Sequence, residues 1–291
     1  MTTSEILHRG ITMFINRFET VLADSSAARE VHYRVRYRVF CEEARFENAA
    51  NFPDQMERDS FDSHAVHFIV WDRLEREWVG AMRLVFASDR TLPCEVICAS
   101  DLKDLNERRS RAVEFSRLCV LAKYRKTEQA YKWGALLTDR LSGAGRETSI
   151  FFRQEENEIF LRLLGASFVW GQENDVDHLY FIINRATTRL LTRFGIPLEI
   201  VGDPVEHRGL RTPQSCNVRE AEAGMRKTLP GFERMLNNGP AFVAYSTFIG
   251  DPIPIPQNTT NVLQFPKDAI AENRHPAIPT AAACQPLSAT L

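Results

Sequence analysis

Arg83 stands inside the apolar run Ala81-Met-Arg-Leu-Val85, and Glu114 and Arg117 stand inside Val113-Glu-Phe-Ser-Arg-Leu-Cys-Val120. A charge in a buried strand is costly unless it is paired or hydrogen-bonded. Three of them in two apolar runs imply either an ion network or a reaction site. Glu114 and Arg117 are three positions apart, so a regular strand directs them to opposite faces. A β-bulge between them brings both onto one face. Upstream lies a second charged set: Arg36 and Arg38, then Glu57, Asp59 and Asp62, with the last two straddling Phe61. Such a cluster can brace a sheet through salt bridges, and it can equally bind a zwitterion.

The elements that must position these residues follow from periodicity. Leu7, Ile11, Phe14, Ile15, Phe18 and Leu22 recur at helical steps with Arg9, Arg17 and Glu19 between them, which predicts an amphipathic helix within residues 1–27. That helix packs on the core, covers an apolar pocket, or makes a peripheral membrane contact. A short helix spans Tyr33–Glu43 and carries Arg36 and Arg38. His64–Trp71 and Trp78–Val85 form a hairpin around Leu74–Glu77, and Ala112–Leu121 is a third strand. Helical patterns cover Glu128–Leu141 and Glu155–Leu164, followed by a strand at His178–Ile183. The helix Arg185–Phe194 is stopped by Gly195 with Pro197 beyond, then Leu198–Val201 is extended and Ala221–Leu236 helical with a break at Pro230 and Gly231. Residues 28–250 therefore make one mixed α/β domain, and the Pro-rich stretch 251–291 reads as an irregular tail.

Composition narrows the function classes. The 291 residues are 44% hydrophobic and 25% charged with a net charge of −2, which supports a sizeable core and argues against a dedicated nucleic-acid binder. No apolar run approaches a membrane span, and the opening MTTSEILHRG lacks the features of a secretory signal. A cytoplasmic location is expected. Cys41, Cys94, Cys98, Cys119, Cys216 and Cys284 lack metal-site spacing, so they read as free thiols and no metal is expected. Cys119, beside the charged cluster, is a minor candidate nucleophile. His64 and His67 are three apart in an extended run, which disfavours a shared metal. His207 in Glu206-His-Arg-Gly209 reads as a loop hydrogen-bonder, or less readily as a residue lining the site.

Order and spacing of the charged and aromatic residues then become specific. Arg36-Tyr-Arg-Val-Phe40, Phe46, Glu57-Arg-Asp-Ser-Phe-Asp62, Val79-Gly-Ala-Met-Arg-Leu84 and Glu114-Phe-Ser-Arg117 resemble the signature of acyl-homoserine-lactone synthases, over roughly residues 33–122. Arg36, Phe40, Phe46, Asp59, Asp62, Arg83, Glu114 and Arg117 take the signature positions, with Phe46 where the family usually has Trp. Residues 178–213, ending in Glu206-His-Arg-Gly-Leu-Arg-Thr-Pro213, resemble a cousin: the acyltransferases associated with PEP-CTERM/exosortase systems, relatives of N-acyl amino acid synthases. Both share the GNAT core, so the resemblance implies an α/β (α+β) three-layer fold with a central mixed twisted sheet flanked by helices.

The implied reaction is N-acylation: a long-chain fatty-acyl group passes from the thioester of an acyl carrier protein to the amine of an amino acid or similar small amine. In that reading Glu114 accepts the amine proton. Arg83 and Arg117 fix a substrate carboxylate, and Asp59 and Asp62 orient the arginines or meet the ammonium. Backbone N–H groups near Arg117 to Cys119, freed by a bulge, stabilise the oxyanion. Arg36, Phe40, Phe46, Ser116 and Cys119 line the substrate site, and Phe115, Phe151, Phe152 and Phe160 are further candidates for an acyl slot. No bound cofactor is implied. GNAT enzymes that use acetyl-CoA usually follow the central strand with a Gly-rich pyrophosphate loop, whereas Leu121-Ala-Lys-Tyr-Arg-Lys-Thr-Glu has no glycine before Gly134. Lys123, Arg125 and Lys126 instead form a basic rim suited to an acidic carrier protein, or are simply solvated. Two alternatives remain: a lactone synthase using S-adenosylmethionine, and a non-catalytic acyl-binding or regulatory module.

Overall fold

The structure is a computed structural model that describes residues 17–88, 90–125, 155–237 and 239–248. Its centre is a mixed sheet, and the residues expected to do chemistry sit on the sheet's middle strands.

β1 is Phe18–Leu22. This corrects the expected N-terminal helix: Phe18 and Leu22 do not continue a helical stripe but lie in a strand paired antiparallel to the next one, Phe18 with Asp72 through Leu22 with Phe68. The sheet edge satisfies the backbone of this β-branched, alternating FETVL segment. Residues 1–16 lie outside the described residues. α1 is Ser26–Tyr37, capped by the Ser25 side chain accepting from Ala28 N–H at 3.2 Å, and it runs on into a π-helical turn over Arg38–Glu43. The helix thus starts earlier than the residues with the clearest apolar period.

β2 (Ala65–Asp72) and β3 (Glu77–Phe86) form the predicted hairpin. α2 is the short Pro93–Cys98 and α3 the single turn Leu105–Arg108, neither of which the sequence reading anticipated. β4 (Ala112–Val120) is the predicted central strand. α4 (Glu155–Glu173) extends well past Leu164. The helix expected at Glu128–Leu141 lies outside the described residues, as does the tail 251–291.

β5 (His178–Ile183) and α5 (Arg185–Arg193) fall where expected. β6 (Glu199–Ile200), β7 (Val205–Glu206) and β8 (Leu210–Asn217) follow, then α6 (Val218–Thr228), α7 (Pro230–Asn237) and β9 (Val243–Ala244). β8 went unread because Thr212-Pro-Gln-Ser215 has little apolar alternation, yet four of its residues are buried between β5 and β6.

The strand order is β6-β8-β5-β4-β3-β2-β1-β9, with β7 pairing β8. β4 runs parallel to β5 and β1 parallel to β9, and the other pairs are antiparallel. Helices cover both faces, which gives the expected three layers. α4 packs on the face of Met82 and Leu84, where Gly80 has no side chain because a methyl there would lie 2.8 Å from Ile159. On the opposite face α1 covers His67, and α2 covers Val85, Ala112 and Tyr180. Arg83 and Glu114 belong to this second face: Arg83 pairs with His67 and Ser116, and the next position, Val85, pairs with Glu114.

Candidate active site

Between α1 and α2 the chain makes a tight turn, Ser60–His64, whose N-cap is Asp59. Asp59 Oδ1 accepts from Phe61 N–H at 2.9 Å, and Asp62 Oδ2 accepts from Asp59 N–H at 2.8 Å. This reciprocal capping box fixes both carboxylates against the sheet. It explains the three-residue spacing that drew attention in the sequence.

Arg83, fully buried, donates to Asp59 through Nη1 (2.5 Å) and Nη2 (2.9 Å), to Asp62 through Nη1 (2.7 Å), and to Ser116 Oγ through Nε (3.1 Å). Arg36, also fully buried, donates to Asp62 at 2.6 Å and to Glu57 at 2.5 Å. Arg117 donates to Glu57 at 3.2 Å and pairs with Asp59 at 3.0 Å. Three arginines and three carboxylates therefore form one continuous network. Burial opposes ionisation of Asp62, but Arg36 and Arg83 outweigh it and hold its carboxyl well below the usual range. Asp59 shifts the same way, burial being overcome by its hydrogen bond to Arg83. Burial likewise opposes the charge on Arg36, and Asp62 and Glu57 reverse the effect and raise it.

The network is open at one end. Arg117 and Asp59 keep 22% and 24% of their side-chain surface exposed, whereas Arg36 and Arg83 keep none. Arg83 is thus engaged by Asp59, Asp62 and Ser116, which corrects its expected part as a free fork for a substrate carboxylate. It orients the acidic pair.

The expected bulge is present, one step further along than the interval Glu114 to Arg117 suggested. The β3–β4 register passes from Arg83–Ser116 to Ala81–Cys119, so Arg117 and Leu118 together face a single residue of β3. Arg117 has φ 51°, a left-handed conformation that costs a non-glycine residue energy and bends the strand. This turn carries its guanidinium over the Phe40 ring at 5.7 Å and onto Glu57 and Asp59. Phe40 lies in the π-helical turn, whose carbonyl accepts from Phe46 and Glu47 N–H at 2.8 and 3.1 Å. β4 and β5 pair only over Ala112–Glu114 and His178–Tyr180, although β4 continues to Val120 and β5 to Ile183. The ladder between these parallel strands stops just before the bulge, at their carboxyl ends, where open α/β sheets take ligands.

Glu114 stands next to this network but outside it. It is fully buried, and its Oε2 accepts from Cys94 N–H at 2.7 Å. Burial pushes its carboxyl up to about 7, against the pull of the Cys94 thiol and backbone and of Arg83 and Arg117. Cys119 is buried and its thiol is pushed up to about 12 by burial, which leaves no thiolate for nucleophilic attack.

The remaining expected residues are distributed around the rim. Phe46 is half exposed and lies under the Arg208 guanidinium at 5.3 Å. Lys123 pairs with Glu77, and Arg125 pairs with Glu43 at 2.6 Å, so both basic groups are braced by carboxylates of the domain itself. Lys126, Phe151 and Phe152 lie outside the described residues. Sequence reasoning missed Glu47, which pairs with Arg208 and approaches Arg117 at 3.7 Å. It also missed the edge-to-face pair His32 and His67, whose ring centroids are 4.6 Å apart beneath the network. His32 Nε2 bonds the Met82 carbonyl and His67 Nε2 the Asp62 carbonyl. Burial lowers both histidines, His67 to about 4, so they pack as neutral rings. Among the described residues no group of His, Cys, Asp and Glu could hold a metal ion, and no helix is long and apolar enough to cross a membrane.

Residues 35–133 match the acetyltransferase (GNAT) domain. The segment contains every member of the ion network. No curated protein matches the chain in sequence. Among solved structures, BjaI, a CoA-dependent acyl-homoserine lactone synthase with SAM and isopentyl-CoA, is 20% identical with a TM-score of 0.50, covering 78% of this chain and 92% of its own. TofI, in a ternary complex with an inhibitor and MTA, is 17% identical with a TM-score of 0.50, over 72% of this chain and 96% of its own. FeeM, an N-acyl amino acid synthase from uncultured soil microbes, is 13% identical with a TM-score of 0.42, over 72% and 94%. The domain match and the sheet built around it make this chain an acyltransferase with a GNAT-type domain.

Proposed function

We propose that the protein transfers a long-chain fatty-acyl group from an acyl-carrier-protein thioester to the amine of an amino acid or similar small amine. The observation that carries this reading is the half-open ion network at the bulge of β4, beside the gap in the β4–β5 ladder. A zwitterionic acceptor fits an exposed edge that offers both signs of charge. Its ammonium meets Asp59, and Glu47 lies next in line.

Acyl transfer requires that the ammonium lose a proton. Glu114, poised at about 7, can take it directly or through one water. The free amine then attacks the thioester carbonyl, and the tetrahedral oxyanion finds donors in backbone N–H groups at Arg117 and Leu118, which the bulge removes from one-to-one pairing with β3. Collapse expels the carrier's thiolate, which takes up the proton that the nitrogen sheds as the amide forms. Arg83, Arg36, Asp62 and Glu57 keep Asp59 and Arg117 in place.

The carrier-protein donor rests on the sequence, through the glycine-free stretch after β4 and the basic residues Lys123, Arg125 and Lys126. Arg125 and Lys123 keep about a third to a half of their side-chain surface exposed while paired, so a carrier can still reach them. A lactone synthase using S-adenosylmethionine is the second reading, favoured by the order of the eight signature residues from Arg36 to Arg117.

The test is to mix the purified protein with long-chain acyl-carrier protein or acyl-CoA, a pool of amino acids and S-adenosylmethionine, and to weigh the products. An N-acyl amino acid formed faster from the carrier thioester supports the proposal. A lactone moves the assignment to the second reading. Absence of any transfer, with acyl chain bound, turns the domain into a binding module.

A further inference from the structure

The β7–β8 hairpin turns at Glu206-His-Arg-Gly-Leu210, with Arg208 at φ 54° and Gly209 at φ 92°. Two contacts tie its tip to the ion network. Arg208 pairs with Glu47, which also approaches Arg117 at 3.7 Å, and the Arg208 guanidinium lies on the Phe46 ring. The register sets its position in the sheet: Thr212 pairs with Ile183, at the carboxyl end of β5 and beyond the point where β5 leaves β4.

Arg211 differs from the other arginines around the site. It is half-buried, and among the described residues its one hydrogen bond runs from Nε to the His207 carbonyl at 2.7 Å. No carboxylate of the described residues pairs with it. Burial, and then the neighbouring charge of Arg208, pull it below the usual guanidinium range. His207 is lowered by burial and then by Arg208, Arg211 and Arg117 together, with Glu47 the opposing charge. His207 thus feels the charge of three guanidiniums, and among the described residues two of them, Arg208 and Arg117, have carboxylate partners. A half-buried cation without a counter-charge is unfavourable, and a bound anion relieves it. With Nε tethered to the hairpin backbone, Nη1 and Nη2 remain as a fixed fork of the kind that takes a planar carboxylate through two parallel bonds.

We infer that Arg211 holds the carboxylate of the acceptor amino acid whose amine faces Asp59 and Glu47. The inference rests on the acceptor class proposed above. It moves carboxylate recognition from Arg83, which is fully engaged, to the hairpin. The acceptor then lies between the acidic end of the network and the hairpin's cation, its two charges matched in order.

The probes are N-dodecanoyl-leucine and its carboxamide, with binding measured by calorimetry on the full-length wild type and on Arg211→Gln and Arg211→Lys. Wild type should prefer the carboxylate by about 10-fold or more, the scale of a lost charge-assisted hydrogen bond. Arg211→Gln should bring the two probes to within about 3-fold, with carboxamide affinity retained as evidence of an intact fold, and Arg211→Lys should fall between. An unchanged carboxylate preference in Arg211→Gln, or none in wild type, overturns the inference. So does a selective rise in KM for the acyl donor in Arg211→Gln, which would assign the fork to the phosphate of the donor's pantetheine arm. Acyl transfer is scored separately. A carboxylate preference that depends on Arg211, found in a protein that acylates no amino acid, would uphold this site while refuting the proposed reaction.

Discussion

Glu114 couples the chemistry to the fold through a single proton. Its carboxyl rests near 7 because it is buried, while the Cys94 N–H and thiol stabilise its charged form. If Glu114 is the base, the rate should rise with pH through about 7, and Glu114→Gln should lower kcat by roughly 100-fold or more and abolish that limb. Glutamine keeps an oxygen for the Cys94 N–H, so the loss is one of proton acceptance and not of packing. A pH–rate profile of both proteins checks this, and a near-normal variant removes Glu114 from the role. The same shift has a stability consequence of definite sign. A carboxyl raised above its ordinary 4.5 binds its proton more tightly in the native state, so its contribution is complete below about pH 4.5 and is lost as the pH climbs through about 7. Urea midpoints measured across that window should decline in wild type and show a smaller decline in Glu114→Gln.

At the scale of elements, the turn Ser60–His64 is what joins α1 to the sheet, and Asp62 is its hinge. Asp62 answers Arg36 of α1 and Arg83 of β3 and accepts from the Asp59 N–H. Asp62→Asn should leave two buried guanidiniums short of a counter-charge and destabilise the domain by about 3–5 kcal/mol in urea unfolding, as breaking a buried pair does. Loss of less than about 1 kcal/mol would mean that Glu57 and Asp59 suffice. A second close approach lies on the other face. Gly195, with φ 86°, ends α5, and its carbonyl occupies the space where a side chain on Gly224 of α6 would begin. Gly224→Ala should force the two helices apart at a cost of at least about 1–3 kcal/mol, read as a lowered unfolding midpoint.

For the molecule as a whole, the two ends of the described chain close one edge of the sheet. Val21 pairs with Val243 and Leu22 with Ala244, and Ser246 Oγ donates to Asp24 at 2.6 Å. Phe242 packs edge-on against Phe68 at 5.4 Å, while Tyr245 and Phe248 cover Trp78 and Phe248 reaches Trp71. Ending the chain after Pro240 should strip these rings from the tryptophans and lower Tm by roughly 10 °C, the equivalent of a few buried aromatic contacts. Tryptophan fluorescence during melting would report it, and an unchanged Tm would show that β9 is an ornament of the edge.

Local pattern alone marked the central strands and singled out the charged residues within them. The hairpin, β4 and β5 were legible because period-2 runs of β-branched and aromatic residues need no partner to declare themselves. Arg83, Glu114 and Arg117 were legible because charge inside such a run is anomalous. Only the tertiary structure decided what the charges do. That Arg83 is closed off by Asp59 and Asp62 while Arg117 stays open depends on a capping turn docking against a bulge, contacts between residues 21 to 58 positions apart. Phe18–Leu22 became a strand because an open sheet edge offered hydrogen bonds that no local period records. Glu47 and Arg208 met across 161 positions, a distance over which spacing carries no information and only packing does.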